Sequence, residues 1–164
     1  SLVGSEMCIR DSHNRMLEDW EKVMAVNVTG VMLTNQMAIK HMLAKGNAGS
    51  IVNIASIAGR RPLPGASDYC VSKAAVIMLT QTVATEYSTS NIRVNAIGPG
   101  FIETPMTANI RQSPEWMDTV MQMTPMQRMG QANEIASTAL FLASEESSYF
   151  TGQTLFPNGG MFTG

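Results

Sequence analysis

The sequence is poor in cysteine and histidine. Its 164 residues include two cysteines, Cys8 and Cys70, and two histidines, His13 and His41. Two cysteines cannot build a disulfide scaffold, so a reducing, cytoplasmic compartment is expected. No Cys or His cluster has the spacing of a metal site, and HExxH and Gly-x-Ser-x-Gly patterns are absent. These absences argue against zinc hydrolases and serine hydrolases with a nucleophile elbow.

Charge is also scarce. Charged residues make up 15% of the chain, the net charge is −2, and no block of Lys or Arg occurs. Neither a nucleic acid nor an anionic membrane surface is therefore an expected partner. The longest uncharged run covers residues 23–39 and includes several polar side chains, so it predicts a buried helix rather than a membrane span. Those side chains are Asn27, Thr29, Thr34, Asn35 and Gln36.

The first residues have no recognisable secondary-structure pattern. Residues 1–11 show neither helical nor strand periodicity, and they lack the basic start and long apolar run of a secretion signal. Residues 1–12 are therefore expected to be a non-native leader, with a natural disordered arm as the alternative. Residues 13–164 are expected to form one domain, or part of one.

Helical and strand patterns alternate along the rest of the chain. Apolar spacings of three and four residues predict a helix from Met16 to about Lys45, stopped by Gly46. Further predictions, in chain order, are a strand at 50–55, a helix at 67–88, a strand at 91–97, an irregular segment at 101–129, a helix at 132–143 and a strand at 153–156. Ser67 or Asp68 is the expected cap of the second helix. Strands separated by helices pair in parallel, which predicts an α/β fold.

One pair of residues on the second helix suggests acid–base chemistry. Tyr69 and Lys73 are four residues apart and therefore share a helix face. A phenol loses its proton near pH 10, and a nearby ammonium stabilises the phenolate. The alternative is a tyrosine and a lysine on a solvated face.

Ser56 strengthens the catalytic interpretation. It follows a predicted parallel strand, and ligands of open α/β sheets bind at the carboxyl edge. The next strand brings Pro99 and Gly100 to the same edge. Asn27 is a candidate to join them from the first helix; its alternative is to cap a helix distortion or to face a partner. These groups are expected to converge on one crevice.

Several ordered motifs resemble those of the short-chain dehydrogenase/reductase (SDR) family. They are NVTG with Asn27, IVNIASIAG with Ser56, YxxxK with Tyr69 and Lys73, RVNAIGPG, FIETPM and TGQTLFPNGG. The spacing of thirteen residues from Ser56 to Tyr69 also agrees. The resemblance implies a Rossmann-type, doubly wound parallel sheet in three α/β/α layers. Residues 13–164 would be the C-terminal portion of that single domain.

The resemblance also implies an NAD(P)-dependent oxidoreductase that interconverts a carbonyl and a secondary alcohol. Tyr69 would be the general acid in reduction and the base in the reverse direction. Lys73 would lower the pKa of Tyr69 and hold the ribose hydroxyls of the nicotinamide. Ser56 would hydrogen-bond the substrate oxygen, and Asn27 would hold a water that relays protons behind Lys73.

Cofactor contacts are implied for the nicotinamide end alone. Pro99, Gly100, Ile102 and Thr104 would lie there. The family's TGxxxGxG turn, its cofactor-selecting strand and its NNAG segment belong before Asn27, and none of them occurs in the sequence. The choice between NADP and NAD therefore stays open. The chain by itself is expected to be inactive and prone to aggregate, because its first strand would lack a neighbour.

Within the family, PGFIETPMT and the closing NGGM look most like 3-oxoacyl-[acyl-carrier-protein] reductases. That likeness implies an acyl-thioester substrate and fatty acid biosynthesis, and Asn158 favours it because many relatives have Asp there. Sugar, polyol and steroid dehydrogenases share the other motifs and remain alternatives for a small-molecule substrate. A non-catalytic relative or fragment is a further alternative. A hydrolase using Ser56 lacks a suitably placed histidine, since His41 lies in the last turn of the first helix.

Two features bear on assembly and substrate access. Relatives associate through the two long helices, which implies a homotetramer or homodimer for the whole protein. Six methionines lie in residues 105–129. Flexible thioether side chains suit an adaptable apolar lid over a substrate, and irregular core packing is the alternative.

Overall fold

The computed structural model describes residues 11–163. Its helices and strands alternate over most of that range. The helices are α1 Leu17–Met24, α2 Gly30–Lys45, α3 Ser67–Tyr87, α4 Ala108–Gln112, α5 Pro114–Met123 and α6 Ala132–Ala143, and the strands are β1 Gly49–Ile54, β2 Ile92–Ile97 and β3 Thr154–Leu155. The expected leader at residues 1–12 lies almost wholly outside the described residues.

The three strands form a parallel sheet in the order β1-β2-β3. β1 pairs with β2 along its whole length, from Gly49 opposite Ile92 to Ile54 opposite Ile97. β3 adds two pairs at the carboxyl half of β2. Because α3 and α6 supply the crossovers that parallel strands need, the α/β prediction is confirmed. Within residues 11–163, β1 is paired on one side only.

One face of the sheet packs against α2 and α3. Ile51 of β1 pairs with Val94 of β2, so the two side chains lie on the same face of the sheet. They pack with Ile39 of α2 and Val83 of α3. A second cluster nearer the carboxyl edge consists of Ala55, Val76, Ile77 and Ala96. Full burial of a Val or Ile side chain stabilises a fold by about 1.5–3 kcal/mol, which anchors α3 to the sheet.

The opposite face of the sheet holds the end of α6. The Ser50 hydroxyl donates to the carbonyl of Leu142 at 2.7 Å. The Arg93 guanidinium donates to the same carbonyl at 3.1 Å and to the carbonyl of Ser144 at 3.0 Å. These bonds satisfy carbonyls that a helix end leaves free. The sheet is therefore covered on both faces, as the expected three-layer arrangement requires.

The first predicted helix is interrupted. Where the sequence predicts one helix over residues 16–45, a π-helical turn at Ala25–Thr29 separates α1 from α2. Such turns insert one extra residue into a helix and are frequent at functional sites. The predicted stop is confirmed, because α2 ends at Lys45 and Gly46 adopts a left-handed φ of 64°.

The segment predicted as irregular contains two short helices, so that prediction is wrong in part. Pro114 occupies the first position of α5, where a missing N–H costs nothing. The Ser113 hydroxyl caps the helix by accepting from the Trp116 N–H at 3.4 Å. The methionines of this segment differ in burial, since Met106 is 75% exposed and Met129 is 3% exposed, and the lid stays a prediction.

The cap of α3 also differs from the prediction. Ala66 precedes the helix without a side-chain cap, and Ser67 is its first residue. Asp68 contributes differently, because its Oδ1 accepts the N–H of Tyr69 at 2.9 Å inside the first turn.

Two absences concern the part of the chain that is described. No helix within residues 11–163 is both long and apolar enough to cross a membrane. No group of three His, Cys, Asp or Glu side chains in the same range is placed to hold a metal ion.

Candidate active site

The carboxyl ends of β1 and β2 bring Ser56 beside Pro99. Backbone pairing continues past the strands, with Ala55 N–H donating to Ile97 at 2.8 Å and Ile57 N–H donating to Pro99 at 3.0 Å. Ser56 lies between these bonds and is 8% exposed. Its Oγ accepts the Ala58 N–H at 3.1 Å. The hydroxyl is thus fixed at the sheet edge while its own proton remains available to a second partner.

The Tyr69 phenol, at the start of α3, lies near the Ser56 side chain. Burial raises the pKa of Tyr69 above its ordinary 10.0, and the Ser56 side chain acts against this by lowering it. The phenol is therefore protonated at neutral pH and positioned as an acid. The strand-end hydroxyl and the phenol are thus close enough for Ser56 to influence the pKa of Tyr69, and their shared role in catalysis stays a prediction.

Lys73 lies on the same face of α3, one turn after Tyr69. Its Nζ is 5.7 Å from the centre of the Tyr69 ring and donates to the carbonyl of Ile54 at 3.0 Å. Burial lowers the pKa of Lys73. Burial is the largest influence on the pKa of Tyr69, and the expected lowering of that pKa by Lys73 stays a prediction.

Asn27 reaches α3 from the π-helical turn. Its Nδ2 donates to the Ser72 hydroxyl at 3.0 Å, and that hydroxyl donates to the carbonyl of Tyr69 at 2.8 Å. Ser72 is fully buried. Asn27 therefore contacts α3 through Ser72, a residue that the sequence analysis did not single out and that only its place inside the YxxxK segment could have signalled.

The other predicted cofactor residues follow β2 in the chain and make backbone contacts there. Gly100 follows Pro99, and its N–H donates to the carbonyl of Pro157 at 3.2 Å, beyond the end of β3. Ile102 forms a bridge with Gly130. Thr104 precedes a short 3₁₀ turn and its N–H donates to the Thr107 hydroxyl at 3.1 Å. The contacts of Ile102 and Thr104 thus lie in the segment that connects β2 to α6.

The loop after Ser56 is tied to the end of the chain. Arg61 Nη1 donates to the carbonyl of Met161 at 2.9 Å. Phe162 packs edge-on against Phe156, with ring centres 5.2 Å apart. No local sequence pattern signals this contact, because the two segments are about a hundred residues apart in the chain.

Sequence comparisons identify relatives of known activity. A family profile described as enoyl-(acyl carrier protein) reductase matches residues 6–162. The 3-oxoacyl-[acyl-carrier-protein] reductase FabG of Thermotoga maritima is 46% identical over 144 residues, which cover 88% of this chain and 57% of that protein. The (3R)-3-hydroxyacyl-CoA dehydrogenase of Homo sapiens is 43% identical over 145 residues, covering 88% and 55%. The chain thus spans little more than half the length of these relatives.

A solved structure agrees with them. The gluconate 5-dehydrogenase from Burkholderia cenocepacia J2315, in complex with NADP and tartrate, superposes with a TM-score of 0.89 at 34% identity. The match covers 92% of this chain and 59% of that one. The Rossmann-type fold and the likeness to 3-oxoacyl-[acyl-carrier-protein] reductases that the motifs implied are both confirmed. On the profile, the identity and the superposition together, the chain belongs to the short-chain dehydrogenase/reductase family.

Proposed function

We propose that the protein is an NAD(P)-dependent oxidoreductase that reduces the ketone of a 3-oxoacyl thioester to a secondary alcohol, and catalyses the reverse oxidation. The observation that carries this proposal is the placement of the Ser56 hydroxyl beside the Tyr69 phenol at the carboxyl edge of a parallel sheet. An acid and a hydroxyl meeting there suit a carbonyl oxygen, which needs a proton and a stabilising hydrogen bond as it gains charge.

Tyr69 is the proton donor in this proposal. Its pKa lies above 10.0, so the phenol carries its proton at neutral pH and delivers it to the carbonyl oxygen during reduction. Ser56 hydrogen-bonds the same oxygen and disperses its developing charge. The Ser56 hydroxyl lies ready for this because Ala58 N–H already occupies one of its lone pairs.

Lys73 and the turn after β2 fit the nicotinamide end of the cofactor. A half-buried ammonium beside a phenol is a donor set that suits the vicinal hydroxyls of a ribose. Pro99 and Gly100 lie across from Ser56 and border the same edge. The cofactor is NADP or NAD and supplies the hydride when bound. Asn27 donates its amide to Ser72, so its Oδ1 is the atom that would hold a relay water.

The substrate class is supported by the relatives. The Thermotoga maritima reductase and the human dehydrogenase have names that place their chemistry at the third carbon of an acyl thioester. The Burkholderia cenocepacia structure is named for a sugar acid. Sugar, polyol and steroid alcohols are therefore the second class to assay, and an enoyl thioester is a third because of the profile's description.

The test is a turnover assay on the complete gene product that carries this chain. NADPH and NADH are each supplied with a 3-oxoacyl thioester, an enoyl thioester, a keto sugar acid and a 3-oxosteroid, and oxidation of the reduced cofactor is followed by absorbance. Tyr69→Phe is expected to lower kcat by about 10²–10⁴-fold with the fold retained, as for loss of a general acid. Tyr87→Phe, at the far end of α3, is the matched control. Turnover that survives Tyr69→Phe would contradict the assignment.

We also propose that the whole protein forms a homodimer or homotetramer through α2 and α3. Both helices carry exposed apolar side chains, which suit a buried interface. On α2 they are Met32, Leu33, Met37 and Leu43, and on α3 they are Val71 and Met78. Met37→Glu with Met78→Glu should reduce the mass measured by light scattering, whereas Leu140→Glu on α6 should not; an unchanged mass would contradict this interface.

A further inference from the structure

Arg15 and Asp68 form a buried ion pair, and Asp68 is the residue immediately before Tyr69. Arg15 Nη1 lies 3.3 Å from Asp68 Oδ2, and the two side chains are 8% and 6% exposed. Arg15 precedes α1, whereas Asp68 is the second residue of α3. Charged side chains are almost never buried this deeply without a partner, so the pair joins two distant parts of the chain at the start of the catalytic helix.

The pair also holds the backbone on both sides of that helix start. Arg15 Nη2 donates to the carbonyl of Gly65, in the loop that leads into α3. Asp68 Oδ1 accepts the N–H of Tyr69 at 2.9 Å. The first N–H groups of a helix have no partner within the helix, so this bond fixes a group that would otherwise be free. One guanidinium and one carboxylate thus connect the segment before α1, the loop at Gly65 and the backbone of Tyr69.

Stability alone does not account for such a pair. The cost of removing two charges from water offsets much of their attraction, and apolar replacements of similar size are often as stable. What the pair provides geometrically is a fixed position for the first turn of α3. The carbonyl of Tyr69 is held separately by the Ser72 hydroxyl, which accepts from Asn27. The backbone of Tyr69 is therefore anchored at its N–H and at its carbonyl.

We propose that Arg15 and Asp68 are positioning residues for Tyr69, fixing the first turn of α3 so that the phenol stays beside Ser56. The inference rests on the proposed function of Tyr69 as the proton donor. A displacement of about 1 Å at a reacting group lowers rates by about a hundredfold. Loss of the pair therefore acts on kcat rather than on the binding of the substrate.

The experiment separates positioning from stability with a charge-free pair. In the complete gene product, Arg15→Met and Asp68→Asn each leave one buried charge unpaired, and both should lower Tm and kcat. In the double variant both charges are gone, and the side chain at position 68 still offers an oxygen to the Tyr69 N–H. Its Tm should return towards wild type while kcat, measured well below Tm, stays at least about tenfold lower with KM little changed.

The pH profile of alcohol oxidation is a second measurement, and a purely structural role of the Arg15–Asp68 pair would not change it. If Tyr69 drifts from Ser56, the influence of Ser56 that lowers its pKa is lost, so the alkaline limb of alcohol oxidation should move to higher pH in the double variant. Lys22→Met, an exposed basic residue on α1, is the matched control and should leave both measurements unchanged.

The possible outcomes separate a failure of the positioning role from a failure of the proposed function. Wild-type kcat and an unmoved pH profile in the double variant would overturn the positioning role, while Tyr69→Phe still inactivates the enzyme. If the wild-type gene product has no turnover, or Tyr69→Phe keeps it, the proposed function and the inference resting on it are both wrong.

Discussion

A β-carbon on Gly59 would lie 2.8 Å from the backbone carbonyl carbon and oxygen of Lys73. The turn that follows Ser56 therefore touches the backbone of α3 directly, at the residue that carries the ammonium. A third atom, Cδ1 of Ile77, lies equally close. The absence of a side chain at position 59 is thus what lets the strand end and the face of α3 that carries Lys73 approach each other.

Gly59→Ala should impair both stability and turnover. The added methyl must displace the backbone of Lys73, and overpacking of this kind costs about 1–3 kcal/mol. The displacement also moves Lys73 and Tyr69 relative to Ser56, so kcat should fall more than KM rises. Thermal unfolding and steady-state kinetics measure the two effects.

Gly30→Ala is the control for that substitution. Its β-carbon would lie 3.7 Å from the carbonyl oxygen of Ala25, an ordinary contact at the start of α2. Alanine is the better helix former, so this variant should keep or slightly raise Tm. Equal effects of the two substitutions would show that position 59 makes no special contact.

Much of the fold could be predicted from local patterns. The bounds of α6 match the prediction, and the strands differ from it by one residue at each end or less. The β-branched runs and the spacing of apolar residues carry that information. The π-helical turn at Ala25–Thr29 was missed, because an inserted residue shifts the helical phase without altering composition. The helix α5 could not be predicted in the same way, because a proline both interrupts helices and begins them, and Pro114 is the first residue of α5.

Local patterns also predict part of the candidate site and miss the rest. Ser56, Tyr69 and Lys73 could be placed together because each follows from a strand end or from a helical spacing. The contact of Asn27 with Ser72 could not be predicted, since it depends on the phase of the π-helical turn. The pairing of Arg15 with Asp68 joins residues far apart in the chain, and neither has a local pattern that signals the other.

Ser56→Ala should move the pH dependence of catalysis to higher pH. The Ser56 side chain lowers the pKa of Tyr69 against the larger raising effect of burial, so its removal lets that pKa rise further. Oxidation needs the phenolate and increases as pH rises through the pKa; reduction needs the phenol and is lost over the same range. Both limbs should therefore shift to higher pH.

The same variant should also be slower. Removing one donor to a developing oxyanion lowers kcat by about 10²–10³-fold. Ser67→Ala, at the first position of α3, supplies the control and should change neither kcat nor the pH profile. A Ser56→Ala enzyme with a wild-type alkaline limb would show that the two hydroxyls do not interact during turnover.

A buried amide pair connects α2, β1 and α3 behind the site. Asn35 Nδ2 donates to Asn53 Oδ1 at 2.8 Å, and Asn53 Nδ2 donates to Asn35 Oδ1 at 3.2 Å. Asn53 Nδ2 also donates to the Thr80 hydroxyl at 3.0 Å. Buried polar groups of this kind are tolerated because each satisfies another.

Truncating either asparagine of that pair should lower the free energy of unfolding, and the effects of the two truncations should not add. Asn35→Ala or Asn53→Ala leaves a buried amide without its partner, which costs about 1–3 kcal/mol in each case. In the double variant the second truncation should cost less than the first, with a coupling of about 0.5–3 kcal/mol. Asn47→Ala, at an exposed position, should stay within about 0.5 kcal/mol of wild type. Chemical denaturation measures all four, and strict additivity would contradict the paired geometry.

We expect the outer edge of β1 to make the isolated 164-residue chain prone to self-association. Within residues 11–163 that edge carries no paired strand, and Ile54 at its end is 50% exposed. Unpaired backbone N–H and C=O groups along an apolar strand are a template for another chain. The chain alone should therefore elute as large species in size-exclusion chromatography and bind NADPH poorly.

A chimera in which residues 13–164 replace the matching part of the Thermotoga maritima reductase supplies the remaining 43% of that protein and should elute as a defined oligomer. A soluble monomer of the chain alone with micromolar affinity for NADPH would contradict this, because it would show that the edge needs no neighbouring strand.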